Sequence, residues 1–255
     1  MRKRSSVAYF FARHLRDSLK VPVGIMISAW GGTPAEAWTP TEVIQDNPDF
    51  RLHQIKRTSR SWPMEAGVLY NQMIRPLLPF TFAGVIWYQG ETNVDNPHFY
   101  GHLIKNMIES WRREAGRCFP FYQVQIAPYL YNSKNYSSAL VREAQEWVTR
   151  HTAETGLAVI SDCVEDLSTI HPINKRPVGK RLADIALAKK YKVLNRIHES
   201  PFLKHSEVKG DKIVLTFSSA QNGIVCRDKE AKGMEIAGPD GIFVKANVSI
   251  NKENQ

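Results

Sequence analysis

Cysteine is scarce in these 255 residues: Cys118, Cys163 and Cys226 are the whole complement. Their wide spacing fits neither a metal-ligand pattern nor a disulfide framework, so no metal and no cofactor are expected. No apolar run approaches the roughly 20 residues of a membrane span, so no membrane partner is expected. The start of the chain does not read as a secretory leader, because Arg13, His14 and Arg16 interrupt its apolar stretch, so no signal peptide is expected in this stretch. Internal repeats and low-complexity tracts do not occur. The net charge of +9 invites a nucleic-acid reading. Yet the basic residues are scattered, the densest groups being Arg2-Lys3-Arg4, Lys175-Arg176 with Lys180-Arg181, and Lys189-Lys190 with Lys192. No basic stripe interleaved with stacking aromatics appears, which argues against a nucleic-acid partner.

Hydrophobic residues make up 43% of the chain and supply ample material for a core. The most informative stretch runs from Phe82 to Asn93. Its first half is apolar and rich in β-formers, and predicts a buried strand. Its second half, Gln89-Gly-Glu-Thr-Asn93, turns polar without a spacer and sets four hydrogen-bonding side chains at a strand end. In open α/β sheets the carboxyl edge is where ligands bind.

The rest of the chain alternates around that strand. Residues 5–19 carry Val7, Phe10, Phe11, Leu15 and Leu19 on one helical face, with Ser5 or Ser6 as N-cap. Val21–Ser28 reads as a buried strand running into Trp30-Gly31-Gly32-Thr33, where paired glycines let main-chain N–H groups approach a ligand. Residues 40–63 are aperiodic and predict a long excursion over the sheet edge. A short helix is expected over 66–78, stopped near Pro76, and an amphipathic helix over 98–115. Phe119–Ala127 reads as a strand and 129–136 as a loop. A helix through Leu140, Ala144, Trp147 and Val148 precedes a strand at Leu157–Ser161. A polar loop then ends at His171-Pro172, and a helix covers Ile173–Lys192. This alternation implies βαβ units and a parallel sheet. After Asn195 the pattern becomes all-β: residues 207–217, 223–226 and 241–246 alternate, with Lys-Gly-Asp and Pro-Asp-Gly as turns. The expected organisation is therefore an α/β domain over 1–195 and a partial β-sandwich module over 196–255.

Three loops would meet at the carboxyl edge: Trp30–Thr33, Gln89–Asn93 and the segment ending in His171. They offer main-chain N–H donors, a side-chain amide and an imidazole, the parts needed to hold a tetrahedral oxyanion and move a proton.

The residues that carry a resemblance are Val21–Trp38, Leu69–Leu77, Gly84–Asn93, Pro120–Pro128, Ile170–Ala183 and the Gly233–Gly241 segment. On these the chain resembles the sialate O-acetylesterase family, carbohydrate esterases of the SGNH (GDSL-like) hydrolase superfamily. The resemblance implies a flavodoxin-like parallel sheet flanked by helices, an acetylated sugar (sialic acid or a related glycan) as substrate, and a periplasmic or secreted location. It assigns His171 as general base, Gly31 or Gly32 as main-chain oxyanion donor and Asn93 as the side-chain donor. Gln89 and Glu91 fall at polar site positions, with Glu91 either orienting the site or accepting backbone N–H groups. Trp30 and Asn71 are candidates for shaping the pocket. Trp38, Tyr88 and Tyr129 stack on a sugar or fill the core. The family's nucleophilic serine lies in a Gly-Gln-Ser-Asn-Met block on a strand before the first helix, and that block is absent from this chain. Ser28, Ser168 and Cys163 are poor replacements. The His171 partner is Asp166 or a main-chain carbonyl. The alternative expectation is a catalytically inactive carbohydrate-binding protein.

Overall fold

A computed structural model describes residues 5–51, 62–131, 136–193, 198–226, 231 and 233–250. It divides into two compact units, residues 1–198 and 199–255.

In the first unit, helix α1 (Ser6–Leu19) begins where the Ser5 hydroxyl accepts from Ala8 N at 3.3 Å. It ends at Lys20 in the left-handed region, whose N–H returns to Arg16 O at 2.8 Å. Residues 40–51 are not the irregular excursion expected from their composition. Pro40 and Pro48 each open a short helix, α2 (Thr41–Asp46) and α3 (Pro48–Arg51), and Phe50 is buried. The remainder of that excursion, 52–61, lies outside the described residues. The helix expected over 66–78 is more irregular than its pattern suggests, a wide π-turn at Tyr70–Ile74 followed by a tight 3₁₀ turn at Arg75–Leu77 that contains Pro76.

Strands β1 (Val85–Trp87), β2 (Phe121–Val124) and β3 (Thr155–Ala158) form a parallel sheet in the order β1-β2-β3. Helices α4 (Tyr100–Glu114), α5 (Ser137–His151) and α6 (Lys175–Lys189) join α1 in covering it. All four β2 residues are buried, as befits a central strand covered on both faces. Alternation sorts them. Phe121 joins Trp87, Ile104, Met107, Trp111 and Val148 in one core, while Tyr122 and Val124 join Val7, Leu15, Val178, Leu182 and Ile185 in the other. No helix among the described residues is long and apolar enough to cross a membrane.

The segment Val21–Ser28 departs from expectation. It belongs to no ladder, and Val21, Ile25, Met26 and Ile27 are 43–53% exposed. A β-prone sequence becomes a strand only when a neighbour offers N–H and C=O groups, and among the described residues β1 pairs with β2 alone.

The α1–α6 contact is close. A Cβ on Gly179 would lie 2.6 Å from the Phe10 Cβ and 2.8 Å from Phe11 N and Val7 O. In an open helix Gly→Ala gains up to about 1 kcal/mol. Here overpacking against backbone, about 1–3 kcal/mol, outweighs it. Gly179→Ala is therefore expected to lower the urea midpoint at unchanged slope. A raised midpoint would show that the two helices separate freely.

The second unit holds two antiparallel hairpins. In the first, β4 (Phe202–Lys209) pairs with β5 (Lys212–Ser218) across a turn where Gly210 takes φ +63. In the second, β6 (Glu235–Ala237) pairs with β7 (Phe243–Lys245) across Pro239-Asp240-Gly241. Residues 223–226, expected as a further β segment, lie outside any ladder.

Candidate active site

The polar stretch after β1 is held by a buried network. Gly90 takes φ +148, and a Cβ there would meet the Ile126 Cγ2 at 2.8 Å, so only glycine lets the chain turn at this point. The turn delivers Gln89 and then the 3₁₀ segment Glu91–Asp95. The Tyr100 hydroxyl lies 3.0 Å from Gln89 O and 3.1 Å from its Oε1, sharing one hydrogen between them. Gln145, fully buried on α5, donates Nε2 to Gln89 O and accepts from Ile126 N at 2.9 Å.

The same network joins this turn to the double-glycine turn. Gln89 Nε2 donates to Asn93 Oδ1 at 2.7 Å and to Thr33 O at 3.2 Å. Asn93 Oδ1 also accepts from Ala35 N at 3.0 Å, and its Nδ2 donates to Glu36 Oε2 at 2.9 Å. The Thr33 hydroxyl donates to Trp30 O and accepts from Trp38 Nε1. Asn93 is thus 3% exposed, its amide plane set by three partners. Gly32 sits at φ +73 under the Trp62 ring, which occupies the place of a Cβ.

A cavity of about 1100 Å³ opens beside this frame. Trp30, Gly31, Gly32 and Thr33 line it from the first turn, Gln89, Glu91 and Thr92 from the second, and His171 from the third loop. Three of the expected loops therefore share one volume, while Asn93 stands behind the wall, bonded to Gln89. Asn71 is exposed and does not line the cavity. Asp166 accepts from Ser168 N and Oγ at 2.8 and 2.7 Å and from Thr169 Oγ1 at 3.3 Å. Those hydrogen bonds hold its carboxyl below the ordinary range, and none among the described residues links it to His171. Of the aromatic candidates, Tyr88 and Trp38 both line the cavity, Trp38 at 3% exposure and also packed in a core.

Burial pushes the Glu91 carboxyl above its ordinary value, against the pull of its own N–H, His171 and Lys175. Lys175 also lines the cavity, with Nζ 5.3 Å from the Tyr88 ring centre, and burial lowers its pKa while Glu91 opposes the shift. A carboxyl whose pKa rises on folding favours the folded state while protonated, and loses that contribution as pH climbs through the folded value. Glu91→Gln is therefore expected to raise Tm over the parent at about pH 8, with the difference closing near the ordinary carboxylate pKa of about 4.3. Thermal melts across that range read it, and a parent at least as stable at the alkaline end contradicts the burial argument.

Lys175, Glu36, Gln145 and Tyr100 were not among the residues singled out from sequence. Lys175 follows His171 by one helical turn, which is a signal of sorts. The other three lie within apolar helical patterns where a polar residue looks unremarkable.

A parallel sheet covered on both faces, with its polar loops gathered beside the carboxyl end of β1, is an SGNH-hydrolase-like α/β fold. The profile of the carbohydrate esterase, sialic acid-specific acetylesterase family matches residues 2–188, and the chain belongs to that family. Human sialate O-acetylesterase is 33% identical over 256 residues, covering 91% of this chain and 48% of that protein. The rat enzyme is 30% identical over 284 residues, covering 91% and 51% respectively. A crystal structure of a carbohydrate acetylesterase from Xanthomonas citri superposes with a TM-score of 0.80 at 36% identity, over 96% of this chain and 55% of that one. The chain spans about half the length of these relatives.

Proposed function

We propose that this chain forms the greater part of an acetylesterase site acting on O-acetyl groups of sialic acid or a related acetylated sugar. The observation that carries the reading is the single cavity lined by Gly31, Gly32, Gln89, Glu91 and His171. In this scheme a serine hydroxyl, supplied by a strand ahead of α1, attacks the acetyl carbonyl and His171 Nε2 or Nδ1 takes its proton. Main-chain N–H groups of Gly31 or Gly32 stabilise the oxyanion, and the Asn93 amide, behind the wall and committed to Gln89, Ala35 and Glu36, braces the turns that present them rather than donating itself. Collapse breaks the acetyl–sugar bond, the sugar oxygen takes the proton from His171, and water then releases acetate from the serine by the same route. Asp166 or a main-chain carbonyl orients the imidazole. Trp30, Gln89 and Glu91 shape the sugar end of the cavity. The relatives' family suggests a periplasmic or secreted setting.

A second reading, sugar binding without turnover, is favoured by one observation: Ser28, a serine on the cavity wall, donates its hydroxyl to Met73 O at 3.1 Å and is not poised as a nucleophile. The two readings separate on p-nitrophenyl acetate. The chain is assayed alone and with an N-terminal segment carrying Gly-Gln-Ser-Asn-Met. Turnover that needs the added serine and His171 supports the esterase. Binding of acetylated sugar with no turnover above a His171→Ala control in either form supports the second reading.

A further inference from the structure

Lys175 stands where a lysine gains least from its own protein. It opens α6, whose first turn carries no acidic residue and whose N-cap Asn174 makes no side-chain capping bond. A cation at that end opposes the helix dipole. The side chain is half-buried, and no carboxylate among the described residues forms an ion pair with it. Glu91 and Asp95 line the same cavity without pairing with it. The ammonium rests instead on the Tyr88 ring, 5.3 Å from its centre, and both residues face the volume that His171 lines. A ring face attracts a cation but leaves most of its three N–H donors unused. Glu91 lies close enough to respond to the charges of both His171 and Lys175, so imidazole and ammonium flank one corner of the cavity.

We infer that Lys175 binds the carboxylate of an acidic sugar whose acetyl group lies at His171, and so decides between acidic and neutral acetylated sugars. The position of the acetyl group rests on the esterase reading; the carboxylate contact rests on Lys175 itself. A ligand carboxylate gives the ammonium the anionic partner that the protein withholds, and charge-assisted hydrogen bonds gain strength in a half-buried site. Burial lowers the Lys175 pKa, and an anion bound beside it raises it again. A neutral sugar covers the lysine without pairing its charge, which adds a desolvation cost and returns little. Of the acetylated sugars in the proposed function, sialic acid carries such a carboxylate and neutral glycans do not.

The test titrates the chain with O-acetylated N-acetylneuraminic acid and with its carboxyl methyl ester, which keeps the acetyl group and removes the charge. The parent is expected to bind the acid at least about tenfold more tightly than the ester, a preference that shrinks as salt is added. Lys175→Met is expected to weaken the acid alone and bring the two ligands within about twofold, while Lys175→Arg keeps most of the preference. A parent that binds the acid no more tightly than the ester overturns the inference, as does a preference that survives Lys175→Met. Equal weakening of both ligands in Lys175→Met also overturns it, because the lysine would then only brace the wall. The deacetylated acid separates this inference from the esterase reading. If it binds as tightly as the acetylated acid while the Lys175→Met effect persists, the acetyl site fails and the carboxylate site stands.

Discussion

In a chain supplied with the serine segment, His171→Ala is expected to lower acetyl-ester kcat by about 10²–10⁴-fold, the usual worth of a positioned proton-transfer group. KM should change little. His171 is exposed on the cavity wall and makes no hydrogen bond among the described residues, so its removal leaves the fold intact. Steady-state kinetics on p-nitrophenyl acetate, with a urea melt to verify folding, read the result. A loss below tenfold would mean that another group accepts the serine proton, and the role would pass to a different residue of the cavity.

Asn93→Ala is expected to act on both chemistry and stability. Slackening the turns that present the Gly31 and Gly32 N–H groups by about 1 Å costs about 10² in kcat. The same change strips Ala35 N–H of its acceptor and removes the amide partner of Glu36, buried groups whose loss of pairing costs about 1–3 kcal/mol. The two effects separate, because Gln145→Leu disturbs the same frame one shell further from the Gly31 and Gly32 N–H groups. If Asn93→Ala lowers the urea midpoint but leaves kcat near the parent's, the residue braces the fold without positioning the oxyanion donors.

Where the chain speaks through long periodic patterns, its fold can be read directly. Helices α1, α4, α5 and α6 each bury a stripe that recurs at helical spacing, and β2 is an apolar run closed by turn residues, whereas β3 starts two residues before the expected Leu157, at Thr155-Gly156, where the sequence carries no apolar run. Val21–Ser28 shows the limit. Its composition is that of a strand, but a strand is a property of two neighbours, and the described chain offers it none. The short helices α2 and α3 escaped for another reason: six and four residues are too few to show a period, and their starts are set by proline. At the site, the loops that follow strands could be located because polarity changes abruptly after an apolar run. The bracing could not. Glu36, Tyr100 and Gln145 act through hydrogen bonds to residues far along the chain, and Asp166 turned to its own loop because a short side chain readily accepts the N–H two residues on.

The central claim is that the turns at Gly31–Gly32 and Gln89–Asn93 and the loop at His171 form one sugar-acetyl site. An NMR titration of isotope-labelled protein with an O-acetylated sialic acid, alongside its deacetylated form, measures this most directly. The account predicts that the amides of Gly31, Gly32 and Thr92 and the His171 ring shift together along one binding curve, more strongly with the acetylated sugar. Shifts confined to the C-terminal hairpins, or a His171 ring indifferent to the acetyl group, would contradict it.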